Sequence, residues 1–288
     1  MKYNTAIVSM LKNESMILDE WIIHHIKLGI EHMYIINNDS TDSSEQVLRK
    51  YGSYITYVND NSQIFTETEK EVVQWDPKTN TVCKCVKNVT FQQYLVNTHY
   101  LEEIKKSCEW IMFIDCDEYM YSPKGYKITN ILENIPEHVT QMFVPWKSFG
   151  SNGYDKQPPS IRKSFLMRRK DPVSAPNYTG YGKSIERVSA VKFLCPHTSQ
   201  LFQHAGVLPN MEHMSLENIK KYNFSQNDAL CCNHYIIMSK QYFDTYKANR
   251  TGGSTNIIRK SIDYWQRNDT MKDDVVDVML SSLCDRAY

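Results

Sequence analysis

The sequence predicts one large α/β domain built on a mostly parallel central sheet, and three observations carry that reading. The first sixty residues alternate short apolar strands with helical segments. A later apolar run stops abruptly at four residues, three of them acidic. Hydrophobic residues make up 41% and charged residues 23% of 288 residues, ordinary globular usage at a length near the limit of one core.

Thr5–Met10 reads as a buried strand, followed by the polar turn Lys12-Asn13-Glu14-Ser15. Ile17, Leu18, Trp21, Ile22 and Ile26 then recur at helical spacing up to Gly29, a natural helix stop. His32–Asn37 is a second strand, and Asn38–Ser43 is rich in helix-capping residues, with Ser15 and Asp42 the expected caps of the two helices. Glu45–Tyr51 continues as helix to Gly52, and Tyr54–Val58 is a third strand. This β-α-β-α-β order implies parallel strands joined by right-handed crossovers.

Ser62–Asn88 is polar and irregular and reads as a loop or lid. Gln92–Lys106 looks helical and leads into the strand Glu109–Ile114. Gln141–Trp146 is another apolar strand. The Pro-bearing stretch from Gln157 to Pro176 gives little signal, with strands expected near Ser164–Arg168 and Val188–Phe193. His234–Met238 reads as the last strand, with helices at Lys240–Asn249, Ile257–Arg267 and Val275–Leu283. The expected organisation is a catalytic domain over residues 1–255 and a helical C-terminal extension over 256–288.

Lys+Arg and Asp+Glu both number 33, so no bulk charge draws the chain to nucleic acid. No apolar run reaches the roughly 18 residues of a membrane span. The eight cysteines include Cys83-x-Cys85 and the vicinal Cys231–Cys232, neither with zinc-ribbon spacing, and they read as reduced thiols. The Asn-x-Ser sites at Asn13 and Asn38 lie in turns assigned below to a ligand pocket. With no signal-peptide pattern in Met1–Met10, a cytoplasmic location is expected.

The strongest chemical signal is IMFIDCDEY, residues 111–119. A strand ending at Asp115-Cys116-Asp117-Glu118 places carboxylates at the C-terminal edge of a parallel sheet, where α/β folds bind ligands. Crowded carboxylates repel, and a hard divalent cation such as Mn2+ or Mg2+ resolves this while leaving positions for phosphate oxygens. Lys12, Asn13, Glu14, Asn37, Asn38 and Asp39 occupy the two neighbouring turns, where side chains and free helix amides can meet a base, a ribose or a phosphate. Helix capping explains those turns equally well when they are taken alone. Neither Gly-x-Gly-x-x-Gly nor Gly-Lys-Ser/Thr occurs, which leaves Rossmann-cofactor and P-loop readings unsupported. Downstream, Lys240 and Lys247 would share a helix face with Arg250 close by, a possible clamp on a departing diphosphate or a plain solvated face. Trp146 and Phe149 could form an apolar platform for a sugar ring, or belong to the core.

These blocks resemble the GT-A class of glycosyltransferases and, within it, glycosyltransferase family 92. The resemblance rests on AIVSMLKNESMILDEWIIHHIKLGIEHMYIINNDSTDSS, EWIMFIDCDEYMY, VPWKSFGSNG, Lys183-Ser184-Ile185 and NHYIIMSKQYF, which occur in order between residues 5 and 253. It implies a GT-A fold, a nucleotide-sugar donor (uridine-based, often galactose), a manganese-like metal, and inversion at the anomeric carbon. It implies a glycan or other hydroxyl acceptor. It also implies that a late histidine completes the metal shell of Asp115 and Asp117, with His234 the best placed and His197 the alternative. Inversion needs a general base. Glu212 has a family-like spacing from Asp117, and Asp155 and Glu186 are the other candidates. The family often has His after the FGS-x-G segment, where this chain has Tyr154. Two readings compete with this one. A nucleotidyltransferase would want a glycine-rich basic loop in place of LKNES, and a carbohydrate-binding module would use the acids for a structural metal.

Overall fold

The computed structural model describes residues 1–62, 69–76, 81–170, 182–249, 262–270 and 275–284. Its first half follows the sequence pattern closely. Strand β1 (Tyr3–Leu11), helix α1 (Ser15–Leu28), β2 (His32–Asn38), α2 (Ser44–Lys50) and β3 (Ile55–Asp60) form two crossover units. Gly29 ends α1 at φ 102°, the left-handed conformation that glycine adopts without a Cβ penalty.

An antiparallel hairpin follows, β4 (Glu69–Asp76) and β5 (Thr81–Asn88), with Glu69 opposite Asn88. The expected loop over Ser62–Asn88 is therefore corrected. Its valines and Trp75 favour strand, and the polar residues between them hid that preference. Helix α3 (Phe91–Ser107) begins with a full capping box between Thr90 and Gln93. Then come β6 (Cys108–Phe113), β7 (Glu118–Tyr121), α4 (Ile128–Leu132), β8 (Gln141–Phe149), α5 (Ile161–Ser164), β9 (Met167–Arg168) and β10 (Gly182–Arg187). The remaining elements are β11 (Val191–Phe193), β12 (Gln200–Leu201), β13 (Gly206–Val207), α6 (Leu216–Lys221), β14 (Cys231–Tyr235), α7 (Lys240–Thr245), α8 (Ile262–Thr270) and β15 (Val275–Val276).

The main sheet runs β15-β9-β8-β10-β6-β1-β2-β3. It is parallel through β6, β1, β2 and β3, while β10 lies antiparallel between β6 and β8. The parallel half is buried on both faces, so its strands read as near-continuous apolar runs. One face packs against α1, α2 and α4 through residues such as Ile7, Trp21, Ile35 and Met112. The other packs against α3 through Val8, Ile36, Val96 and Phe113. A mixed α/β fold with helices flanking a curled sheet is what the GT-A resemblance implies.

Three local expectations differ. Ser164–Arg168 is a helical turn followed by a two-residue strand, and Val188–Ala190 is a 3-10 turn ahead of β11. The longer strand there, Gly182–Arg187, carries Lys183, Ser184 and Glu186, all buried, and its charged residues masked it. At the C-terminus, Val275–Leu283 is no helix. Val275 and Val276 pair with β9, and a 3-10 turn covers Ser281–Leu283. Asp277 then joins the buried ammonium of Lys147 (3.1 Å) to Arg168 (2.6 Å), fastening the tail to β8. Helix α8 packs Trp265 against Phe243 and Ile237. Among the described residues no helix is long and apolar enough to cross a membrane.

Candidate active site

Strands β1, β2 and β6 all end at the same sheet edge, and their following turns meet there. The first two turns are knitted to each other. Asn13 sits at φ 54°, its amide donates to Ser40 Oγ, and its side-chain oxygen accepts from Thr41 N at 2.7 Å. Asp42 accepts from Ser15 N and Ser44 N, each at 2.9 Å, so one carboxylate serves the starts of both α1 and α2. Ser15 is thus capped by a neighbour, and it makes no cap of its own. Lys12 pairs with Asp39 at 2.7 Å, and Asn37 donates to Asn59 across β2 and β3.

Behind the third turn, α1 holds β7 by its backbone. Trp21 Nε1 donates to the Glu118 carbonyl at 2.9 Å, and His24 Nε2 lies 2.6 Å from the Met120 carbonyl. His25 accepts from the Met120 amide. Burial holds both imidazoles neutral, His25 at about 3 and His24 well below the usual histidine value.

The acid turn is stocked with cations. Lys183 Nζ is 2.9 Å from Asp115 Oδ2 and 3.1 Å from Glu118 Oε2, with a side chain that is 0% exposed. Burial opposes its charge, yet the two carboxylates more than offset this and its pKa is raised. Asp115 also accepts from Gln92 Nε2 at 3.1 Å. Asp117 contacts the Lys247 ammonium through Oδ2, and its Oδ1 is 3.7 Å from His234 Nε2. Burial pushes the Asp117 carboxyl up, but Lys247 and His234 outweigh it and hold the group well below the usual range.

Above the turn opens a cleft of about 370 Å³. Of the residues singled out in the sequence, Lys12, Glu14, Asn38, Asp115, Asp117, Trp146, His197, His234 and Lys247 line it. Trp146 lies against His234, ring centroids 4.2 Å apart. His197 turns Nδ1 toward the Gly182 carbonyl at 3.1 Å, and burial with Lys183 nearby lowers its pKa to about 4.

Several expected residues are elsewhere. Asn13, Asn37 and Asp39 are taken up by the turn contacts above and do not line the cleft. Phe149 is fully buried beside Tyr235. Lys240 pairs with Asp244 one helical turn on. It shares no helix face with Lys247, because α7 stops at Thr245 and Lys247 starts a separate 3-10 turn. Arg250 lies outside the described residues. None of the three base candidates lines the cleft. Glu212 and Asp155 are exposed, while Glu186 is buried against Gln141 and Ser199, its pKa pushed up by burial to about 7. Sequence reasoning missed Gln92, Phe91, Ile236 and Tyr264 as lining residues, and Lys183 as the partner of Asp115. Only Lys183 left a trace, a lone cation within a motif otherwise fit for a buried strand.

The site is a cleft with an acid turn on its wall, at the end of the parallel strands of a mixed α/β sheet. The sequence model of glycosyltransferase family 92 matches residues 7–272, and the chain belongs to that family. A family 92 protein of Oryza sativa subsp. japonica is 25% identical over 87% of this chain and 35% of its own length. One from Arabidopsis thaliana is 24% identical over 86% of this chain and 37% of its own. The chain therefore spans little more than a third of these relatives. Among solved structures, glucosyl-3-phosphoglycerate synthase from Mycobacterium tuberculosis, in complex with Mn2+, uridine diphosphate and phosphoglyceric acid, is 13% identical. Its TM-score is 0.33, over 66% of this chain and 58% of that one. A glycosyltransferase involved in glycosylation of the major capsid of PBCV-1 gives 12% identity and a TM-score of 0.26, over 64% and 60%.

Proposed function

We propose that this chain moves a hexose from a uridine diphosphate sugar to a hydroxyl of a glycan acceptor, with a divalent cation and with inversion. The observation that carries the reading is Asp117, a carboxylate at the sheet edge facing both an imidazole and an ammonium on the wall of one cleft. Galactose is the sugar that the resemblance favours.

Among the described residues, no three His, Cys, Asp or Glu side chains converge into a closed metal cage. Asp117 and His234 still fit Mg2+ or Mn2+, since such ions keep several waters and take one or two protein ligands plus substrate phosphates. Asp115 is committed to Lys183 and Gln92, which suits it to a ribose hydroxyl at the cleft mouth. When bound, the ion would neutralise charge on the diphosphate. Lys12 and Lys247 add cations on the same wall, where the leaving group gains negative charge. Glu14, the N-cap of α1, and Asn38, the last residue of β2, are suited to the base and ribose. Trp146 offers an apolar ring beside His234 and His197.

Product analysis tests the reading. Incubation with uridine diphosphate galactose and Mn2+ should release uridine diphosphate slowly, and EDTA should stop it. Release of pyrophosphate would favour a nucleotidyltransferase, and no release from any uridine diphosphate hexose would remove the donor assignment.

A further inference from the structure

Away from the cleft, a second cavity of about 330 Å³ opens where the β7–β14 ladder ends. The two strands run antiparallel, with Glu118 opposite His234 beside the cleft and Tyr121 opposite Cys231 at the other end. Ser122 directly follows β7, Asp228 and Ala229 lead into β14, and all three line the cavity. The turn Leu208–Met211 closes another side, fastened by Ala229 N, which donates to the Pro209 carbonyl at 2.9 Å. Among the described residues, none lines both this cavity and the cleft. Its size is that of a small-molecule site.

The lining is rich in amides and balanced in charge. Asn130, Asn134, Asn210 and Asn227 contribute carboxamides, and Lys124 is matched by Asp228. Two of the amides are held in place. Asn210 Oδ1 accepts from Glu212 N at 3.1 Å, and Asn134 Nδ2 donates to the Asn130 carbonyl at 2.7 Å. A carboxamide sets a donor beside an acceptor, which matches neighbouring hydroxyls of a sugar ring. Tyr126, 55% exposed, adds a ring on which the C–H face of a pyranose can pack. An anion would ask for more than Lys124 alone, and a wholly apolar ligand would leave the carboxamides desolvated and unpaired. Two features of the same lining lower the stability of the protein on its own. Met211 sits at φ 69°, left-handed for a residue with a Cβ, and it is 43% exposed, so little burial offsets the strain. Ser122 is 1% exposed, and its hydroxyl finds no hydrogen-bond partner among the described residues. Such costs persist where a function uses them.

We propose that this cavity is a second carbohydrate site, which holds an uncharged segment of a glycan apart from the cleft. The proposal goes beyond the transfer reaction and needs neither its donor nor its metal. At the usual strand rise the two ends of the ladder lie about 10 Å apart. A glycan gripped at one end therefore raises the effective concentration of its own hydroxyls at the other.

The test exposes the whole chain, with uridine diphosphate and Mn2+ present to occupy the cleft, to an array of neutral oligosaccharides built from glucose, galactose and mannose. The best-bound oligosaccharide is then titrated in solution by calorimetry. The wild type should bind it, and more tightly than the matching monosaccharide. Tyr126→Ala and Asn210→Ala, both at exposed positions, should each weaken it by about tenfold, as loss of one good contact does. Both variants should unfold like the wild type and release nucleotide from a donor at the same rate without acceptor. Tyr126→Phe keeps the ring and should bind like the wild type. No binding of any neutral oligosaccharide would overturn the proposal, as would affinity unchanged in both alanine variants. Tighter binding of sulfated or carboxylated glycans would overturn its charge argument and the proposal with it. The titrations need no turnover, so a chain that transfers no sugar from any uridine diphosphate donor still decides this proposal separately.

Discussion

Trp21 Nε1 donates a 2.9 Å hydrogen bond to the carbonyl of Glu118, so a core helix grips the backbone of the acid turn. Both groups are buried, and neither finds water if the bond is lost. Trp21→Phe keeps most of the apolar volume and leaves that carbonyl without its donor. The expected cost is about 1–3 kcal/mol in unfolding free energy, with reduced turnover because the turn loosens. Chemical denaturation and steady-state assays of this variant read both effects, and unchanged turnover at lowered stability would separate the turn's position from this bond.

Lys183 is the cation on which the turn depends. Lys183→Met takes the counter-ion from the fully buried Glu118, whose pKa burial already raises, and from Asp115, whose side chain is 40% exposed, and should destabilise by about 3–5 kcal/mol. Asp277→Ala should cost a similar amount at the other side of the sheet, since it strands the fully buried Lys147 ammonium. Urea unfolding of the two variants checks both values.

Gly182, just ahead of Lys183, has no room for a side chain. An added Cβ would stand 2.5 Å from Phe143 Cζ and 2.6 Å from the Val144 carbonyl oxygen. Gly182→Ala must push β10 from β8 and should cost about 1–3 kcal/mol. Since the Gly182 carbonyl also faces His197 in the cleft, donor affinity should fall with stability. A thermal melt and a nucleotide titration on the same sample test this.

Acid should destabilise the fold through its buried histidines, against an opposing gain from Glu186, whose carboxyl burial raises to about 7. His25 titrates at about 3, and His32 and His204 at about 4, each lowered first of all by burial. Histidine in the unfolded chain titrates near 6.5. Between these values the unfolded state binds protons that the native state refuses, so stability is whole above about pH 6.5 and falls as pH drops. For His25 alone the loss by pH 5 is about 2 kcal/mol. Urea midpoints from pH 7.5 to 5 should decline. In His25→Phe the decline should be shallower, whatever the variant's stability at pH 7.5.

The parallel half was legible because its signals are local. Apolar runs gave β1, β2 and β6, Gly29 gave the end of α1, and the abrupt stop at Asp115 placed the acids at the sheet edge. What sequence reading missed depends on pairing across long separations. Nothing near Lys183 says that it neutralises an aspartate 68 residues away, and nothing near Asp277 says that it holds Lys147. The hairpin β4–β5 and the strand β10 were hidden by polar composition. Lys240 misled because helical spacing was assumed to run past Thr245. Trp146 and Phe149 looked alike in sequence, and only the fold separates them, one on the cleft and the other sealed in the core.

The central claim is that Asp117 binds the metal on which sugar transfer depends. Asp117→Asn keeps the shape of the side chain, removes its charge, and leaves Lys247 and His234 in place. Release of uridine diphosphate from uridine diphosphate galactose, measured in Mn2+ for wild type and for a variant shown to unfold cooperatively, tests it most directly. The account expects a loss on the order of a hundredfold or more in the variant, as for removal of a transition-state electrostatic contact. Near-normal turnover in Asp117→Asn, still abolished by EDTA, would contradict it.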